Sequence, residues 1–129
     1  GRLSGRIELI EASSIELSTI DRIRKILAGS DNVLIHLDSN HTHEHVLAEL
    51  KLFAPLVGPG RYLICGDTVV EDIPAQEHRP RPWGPGNNPG TALAEFLKGD
   101  DRFEVDRQFQ NRYLFTCNPD GYLRRKDEP

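Results

Sequence analysis

The chain of 129 residues has room for one domain and one sizeable core, not for two. Its 28% charged residues and net charge of −4 argue against a general nucleic-acid binder, which needs a basic face. No apolar run approaches the roughly 20 residues of a membrane span, and no signal-peptide pattern opens the chain.

Cys65 lies inside an apolar run and Cys117 near the end of another. Two such cysteines predict buried small hydrophobes in a reducing compartment, with the cytoplasm as the default, rather than a disulfide framework. Arg6 to Ile10, RIELI, alternates and predicts a first strand. Ser13 and Ser14 break that pattern. In TIDRIRKIL, residues 19–27, Ile20, Ile23, Ile26 and Leu27 recur at helical spacing, with Gly29 just past the end. NVLIHLD, 32–38, is a compact apolar run that predicts a strand covered on both faces, with Leu34 and Leu37 buried and His36 a satisfied core histidine.

From Glu44, residues Val46, Leu47, Leu50, Phe53, Ala54 and Val57 keep a helical period, and Pro55 should kink or end that helix. GPG at 58–60 turns the chain into a further strand, RYLICGD. From Val69 to about Asn88 the chain is irregular and rich in proline, a length that is functional or disordered in compact domains. Asn88-Pro89 caps a third helix, GTALAEFLKG. RFEVDRQF and RYLFTCN, separated by Gln110 and Asn111, predict an antiparallel strand pair. Arg124, Arg125 and Lys126 read as a solvated tail. The order predicts an α/β fold: a mostly parallel sheet, helices on both faces, and an antiparallel C-terminal strand pair. No GxGxxG turn occurs, so either the domain has no nucleotide cofactor or these residues are the later part of a larger domain.

The chemistry concentrates in LDSNHTHEH, 37–45, where a strand runs into a helix. Asp38 and Asp67 end adjacent predicted strands and can share one hard cation through oxygen; Asp38 can equally cap the following helix. His41, three residues past Asp38, can reach the same crevice as a base. His43 and His45 are expected at the surface. Neither HExxH nor GxSxG is present.

LDSNHTHEHVLAELKLFAPLV, YLICGDTVVED and PWGPGNNPGTALAEFL together resemble the cephalosporin hydroxylase family, from about Arg6 to Tyr122. The resemblance implies a Rossmann-like class I O-methyltransferase using S-adenosylmethionine and Mg2+, with residues 1–129 as the C-terminal portion of the domain and the cofactor-binding units upstream. It implies Asp38 and Asp67 as metal ligands, Asp38 also near the methyl donor, His41 as the base, and Ser13 and Ser14 near the adenine. Gly66 departs from the family, where a second ligand residue stands, so a water, Glu71 or Asp72 would complete the set. The expected function is magnesium-assisted methyl transfer to a hydroxyl of a small metabolite, a sugar or antibiotic-like molecule. A truncated, non-catalytic ligand- or partner-binding domain is the alternative. An iron oxygenase would have to draw Asp38, His41 and His43 from one short turn. An unpaired sheet edge further predicts a homo-oligomer.

Overall fold

Three stretches with apolar residues at helical spacing form helices: α1 (Leu17–Ile26), α2 (His43–Phe53) and α3 (Pro89–Gly99). The structure, a computed structural model, describes residues 4–127. Past α1, Gly29 adopts φ +82°, the left-handed turn that glycine enters without a Cβ penalty. Helix α2 tightens into a 3-10 turn, Ala54–Leu56, with Pro55 in that first turn; the missing proline N–H ends the α-helix as expected. Helix α3 begins on a reciprocal cap. Asn88 Oδ1 accepts from the N–H groups of Gly90 and Thr91, and Thr91 Oγ1 accepts from Asn88 N–H.

Four strands, β1 (Ile35–Leu37), β2 (Tyr62–Cys65), β3 (Phe103–Val105) and β4 (Tyr122–Arg125), pair in the order β1-β2-β4-β3. Strands β1 and β2 are parallel, with Leu37 opposite Cys65, and β4 runs antiparallel to both β2 and β3. The register puts Leu37, Leu63, Cys65, Leu123, Val105 and Phe103 on one face. That face packs against Val46, Leu50 and Phe53 of α2 and Ala92, Leu93 and Phe96 of α3, with Ile20 of α1 in the same core. On the other face the short α4 (Arg107–Gln110) brings Phe109 within 5.9 Å of the Tyr62 ring and 5.2 Å of Tyr122. Among the described residues, β1 is an edge of the sheet.

The α/β class is as expected, but the sheet is mixed rather than mostly parallel, because β4 enters between β2 and β3. That strand contains Arg124 and Arg125, expected in a solvated tail. The Arg125 guanidinium donates to Val57 O, and Arg124 lies 3.4 Å from Glu104 on the neighbouring strand. RYLFTCN forms no strand: Leu114 and Phe115 are exposed, and the residues that follow serve instead as a clamp on the end of β2. RFEVDRQF stops short as a strand because Asp106 caps α4, its carboxylate accepting from Phe109 N–H and from Tyr62 Oη–H.

RIELI is also not a strand. Ile7 and Leu9 are exposed and, among the described residues, have no neighbouring strand to pair with. In NVLIHLD the alternation puts Leu34 and Leu37 on opposite sides, so Leu37 is buried while Leu34 is 64% exposed, and His36 is exposed rather than in the core. Cys65 is buried as expected, its thiol pushed up to about 12 by burial and then by the Glu49 carboxylate, whereas Cys117 is exposed.

Candidate active site at the strand ends

Because β1 and β2 are parallel neighbours, the residues that leave them emerge side by side. Gly66 N–H donates to Leu37 O at 2.9 Å, carrying the ladder one step past the strand ends. The approach is so close that a Cβ on Gly66 would lie 2.7 Å from Leu37 O. The position that the family resemblance marks for a second ligand therefore has no room for a side chain with the backbone as placed.

Asp67 follows in the left-handed region, φ 52° and ψ 31°, which Asp tolerates better than most residues. Residues 117–119 hold it there. Asp67 N–H donates to Asn118 Oδ1 at 2.9 Å, Thr68 Oγ1 donates to Pro119 O at 2.7 Å, and Val69 N–H donates to Cys117 O at 3.1 Å.

His41 comes back over this edge. Its Nε2 lies 2.8 Å from Asp67 Oδ2 and 3.8 Å from Asp38 Oδ1, and its Nδ1 lies 3.2 Å from Ser39 O. One ligand atom from each of Asp38, His41 and Asp67 falls within 4.8 Å of the others. Two carboxylate oxygens and an imidazole nitrogen at that separation suit a divalent cation that keeps water or a ligand in its other positions. With Nδ1–H donating to Ser39 O, Nε2 faces the Asp67 carboxylate, a contact that either a hydrogen on Nε2 or a cation between the two satisfies.

Capping does not explain Asp38. The N-cap of α2 is Thr42, with no side-chain cap; Thr42 N–H is taken by Asn40 Oδ1 and His43 N–H by Asn87 Oδ1. The three alternating histidines diverge. His43 reaches α3, with Nδ1 2.8 Å from Thr91 Oγ1 and Nε2 3.1 Å from Glu95 Oε2, so the oxygenase set of Asp38, His41 and His43 is not assembled. His45, expected at the surface, turns inward to Ser14, Ser39 and Glu49. Ser13 is exposed, while Ser14 is half-buried and tied by His45 to the segment that leaves β1. Glu49 was missed, yet the signal was there: a carboxylate on the Val46–Leu50–Phe53 stripe of α2.

The long loop after β2 has structure. A 3-10 turn, Thr68–Asp72, is followed by residues that fold back so that the Trp83 ring packs on His41 at 5.2 Å, with the Arg81 guanidinium 5.5 Å over the indole. A cavity of about 270 Å³ lies behind it, lined by Val70, Ile73, Arg79, Arg81 and Trp83. Glu71, a candidate to complete the metal set, is engaged elsewhere: its carboxylate accepts from Gly86 N–H at 2.8 Å and from Asn88 Nδ2–H. Those bonds, the Gly86 one first, hold its carboxyl below the usual range. A depressed folded pKa stabilises the latch above the unfolded value and loses it as pH falls through the folded one, below 4.5. Acidification is thus expected to release the loop: Gly86 amide exchange should accelerate and Trp83, the single tryptophan, should become more solvated in fluorescence before global unfolding. Glu71→Gln should show the same release at neutral pH. Unchanged Gly86 exchange in that variant would dismiss the latch.

The family described as Rhamnosyl O-methyltransferase/CmcI matches residues 2–126, nearly the whole chain. The chain belongs to this family. Within it, proteins named Rhamnosyl O-methyltransferase from Mycobacterium tuberculosis (strain ATCC 25618 / H37Rv) and Mycobacterium bovis (strain BCG / Pasteur 1173P2) are each 33% identical over 120 residues, which is 90% of this chain and 46% of theirs. The protein of that name from Mycobacterium leprae (strain TN) is 33% identical over 124 residues, 93% of this chain and 51% of its own. The chain spans about half the length of the curated relatives it matches. The relatives' names carry the methyltransferase half of the resemblance drawn from the motifs and leave its hydroxylase name aside. No solved structure matches significantly, and no helix among the described residues is long and apolar enough to cross a membrane.

Proposed function

We propose that this chain carries the acceptor-activating part of an O-methyltransferase that uses S-adenosylmethionine and magnesium, acting on a hydroxyl of a small molecule. A sugar is the first choice, from the names of the relatives. The observation that carries the reading is the convergence of Asp38, His41 and Asp67 at the ends of two adjacent parallel strands, in a member of a methyltransferase family. By the same reading the sheet is the C-terminal part of a Rossmann-like domain.

Asp38 and Asp67 would hold the magnesium ion, with Ser13, Ser14 and Asp38 toward the donor. When bound, the ion supplies a Lewis acid that lowers the pKa of an acceptor hydroxyl, and the donor supplies an electrophilic methyl group. The rest is the work of the chain. The Nδ1–H bond to Ser39 O fixes the tautomer in which Nε2 of His41, 2.8 Å from Asp67 Oδ2, carries the lone pair that would take the hydroxyl proton. Trp83 limits the swing of that ring. The strand ends, tied through Gly66 and Leu37, keep both carboxylates on a rigid frame, which in-line transfer between donor and acceptor requires.

A second reading, a domain that binds the ligand without catalysing transfer, rests on Gly66, where the family resemblance marks a second metal ligand and the backbone as placed leaves no room for a side chain. One experiment separates the two: the chain with S-adenosylmethionine labelled in its methyl group, magnesium, and methyl α-L-rhamnoside as acceptor. Label appearing on a sugar oxygen, and lost on chelation, supports the enzyme. Donor binding by calorimetry without transfer supports the binding domain. Neither binding nor transfer defeats both.

A further inference from the structure

Apart from the triad, a second polar cluster is built where the segment before α1, the end of β1 and the first turns of α2 converge. His45 Nε2 lies 3.0 Å from Ser14 Oγ, 3.3 Å from Ser39 Oγ and 3.6 Å from Glu49 Oε1, while Ser39 Oγ donates to Glu49 Oε1 at 2.7 Å. Glu49 is 2% exposed, and its Oε2 has no hydrogen-bond partner. A carboxylate in such a place costs free energy, so its presence needs a reason beyond packing.

Counting hydrogens gives the directions of these bonds. A serine hydroxyl has one hydrogen, and that of Ser39 is committed to Glu49. Toward His45, Ser39 Oγ is therefore an acceptor only. A bare lone pair on Nε2 would face this oxygen and the Glu49 carboxylate together, which is repulsive, whereas an Nε2–H is attracted to both. With the hydrogen on Nε2, Ser14 Oγ accepts from the same N–H, and its own hydrogen points away from His45.

We propose that His45, oriented by Ser39 and Glu49, is a positioning residue that sets Ser14 as an outward hydrogen-bond donor, so that the ligand atom Ser14 meets is a bare acceptor such as an unprotonated ring nitrogen of a purine. The ligand half rests on the reading above that Ser14 faces the methyl donor. The cluster is not a hydrolase triad, because Ser14 and Glu49 approach the same ring nitrogen, whereas a relay needs them on opposite ones.

Two measurements test this. Nitrogen-15 spectra of the free chain report the His45 tautomer directly; the Nε2–H form is expected, and the Nδ1–H form would overturn the proposal. Calorimetry with S-adenosylhomocysteine as the probe tests the ligand half in a double-mutant cycle. His45→Ala and Ser14→Ala should each weaken binding about tenfold, the loss of one well-placed hydrogen bond. The double variant should be no weaker than Ser14→Ala, and His45→Gln, which keeps a donor near Nε2, should recover most of the loss. Magnesium affinity at the triad should stay constant throughout, a result that general loosening of the fold would not give. Additive losses, or no rescue by Gln, would overturn the positioning role. An Nε2–H tautomer in a chain that binds no S-adenosylhomocysteine would keep the orientation of Ser14 and remove the donor-site reading.

Discussion

Asp38→Asn is expected to weaken magnesium binding more than the about 10–100-fold that even an outer partner costs a metal site, and to remove methyl transfer with it. Asp38 has no capping duty and its side chain is 56% exposed, so the fold should survive the change and the loss can be assigned to the site. Asp67→Asn should act likewise, and Asn suits the position because it too tolerates φ 52°. His41→Gln should behave differently. Removing a general base costs about 10²–10⁴ in rate, while the two carboxylates proposed to hold the ion remain. Calorimetric titration of magnesium beside the labelled-methyl assay separates the roles. If His41→Gln loses as much metal affinity as Asp38→Asn, the imidazole is a ligand and not the base. If Asp38→Asn leaves magnesium affinity unchanged, the metal assignment falls.

The second large effect is on stability. Gly121 is buried where β4 meets β2, and its carbonyl accepts from Cys65 N–H at 2.8 Å. A Cβ there would lie 2.3 Å from Cys65 O and 3.2 Å from both Asn118 Cβ and Asn118 O, so backbone must move. Gly121→Ala is expected to destabilise by about 3 kcal/mol, the upper end of overpacking costs. The change should also reach the site, because the same turn supplies Asn118 Oδ1 to Asp67 N–H. Denaturant melts with a magnesium titration would check both effects. A melt within about 0.5 kcal/mol of wild type, the range of neutral surface changes, would show that the turn is more compliant than its contacts suggest. Asn118→Ala should be milder in the melt, yet still loosen Asp67.

Some of this protein is determined locally and so can be read from the sequence. The three long helices follow from apolar spacing and nearby stop signals: Gly29, Pro55 and the Asn88–Thr91 cap each act within a few residues of the end they set. The convergence of Asp38, His41 and Asp67 was legible for a related reason. Parallel strands joined by a helix place their ends together, and both LDSNH and YLICGD announce an apolar strand closing in an aspartate. What escaped depends on partners distant in the chain. RIELI and RYLFTCN have strand propensity without a ladder, while the basic YLRR becomes a strand because β2 and β3 flank it and Val57 O receives Arg125. The inward turn of His45 depends on Ser14, 31 residues away, and the exposure of His36 on how little covers that face. Gly66 shows the difference most directly. As a residue type it reads as a missing ligand, and only the 2.7 Å approach of Leu37 O shows a position closed to any side chain by the pairing of β1 with β2.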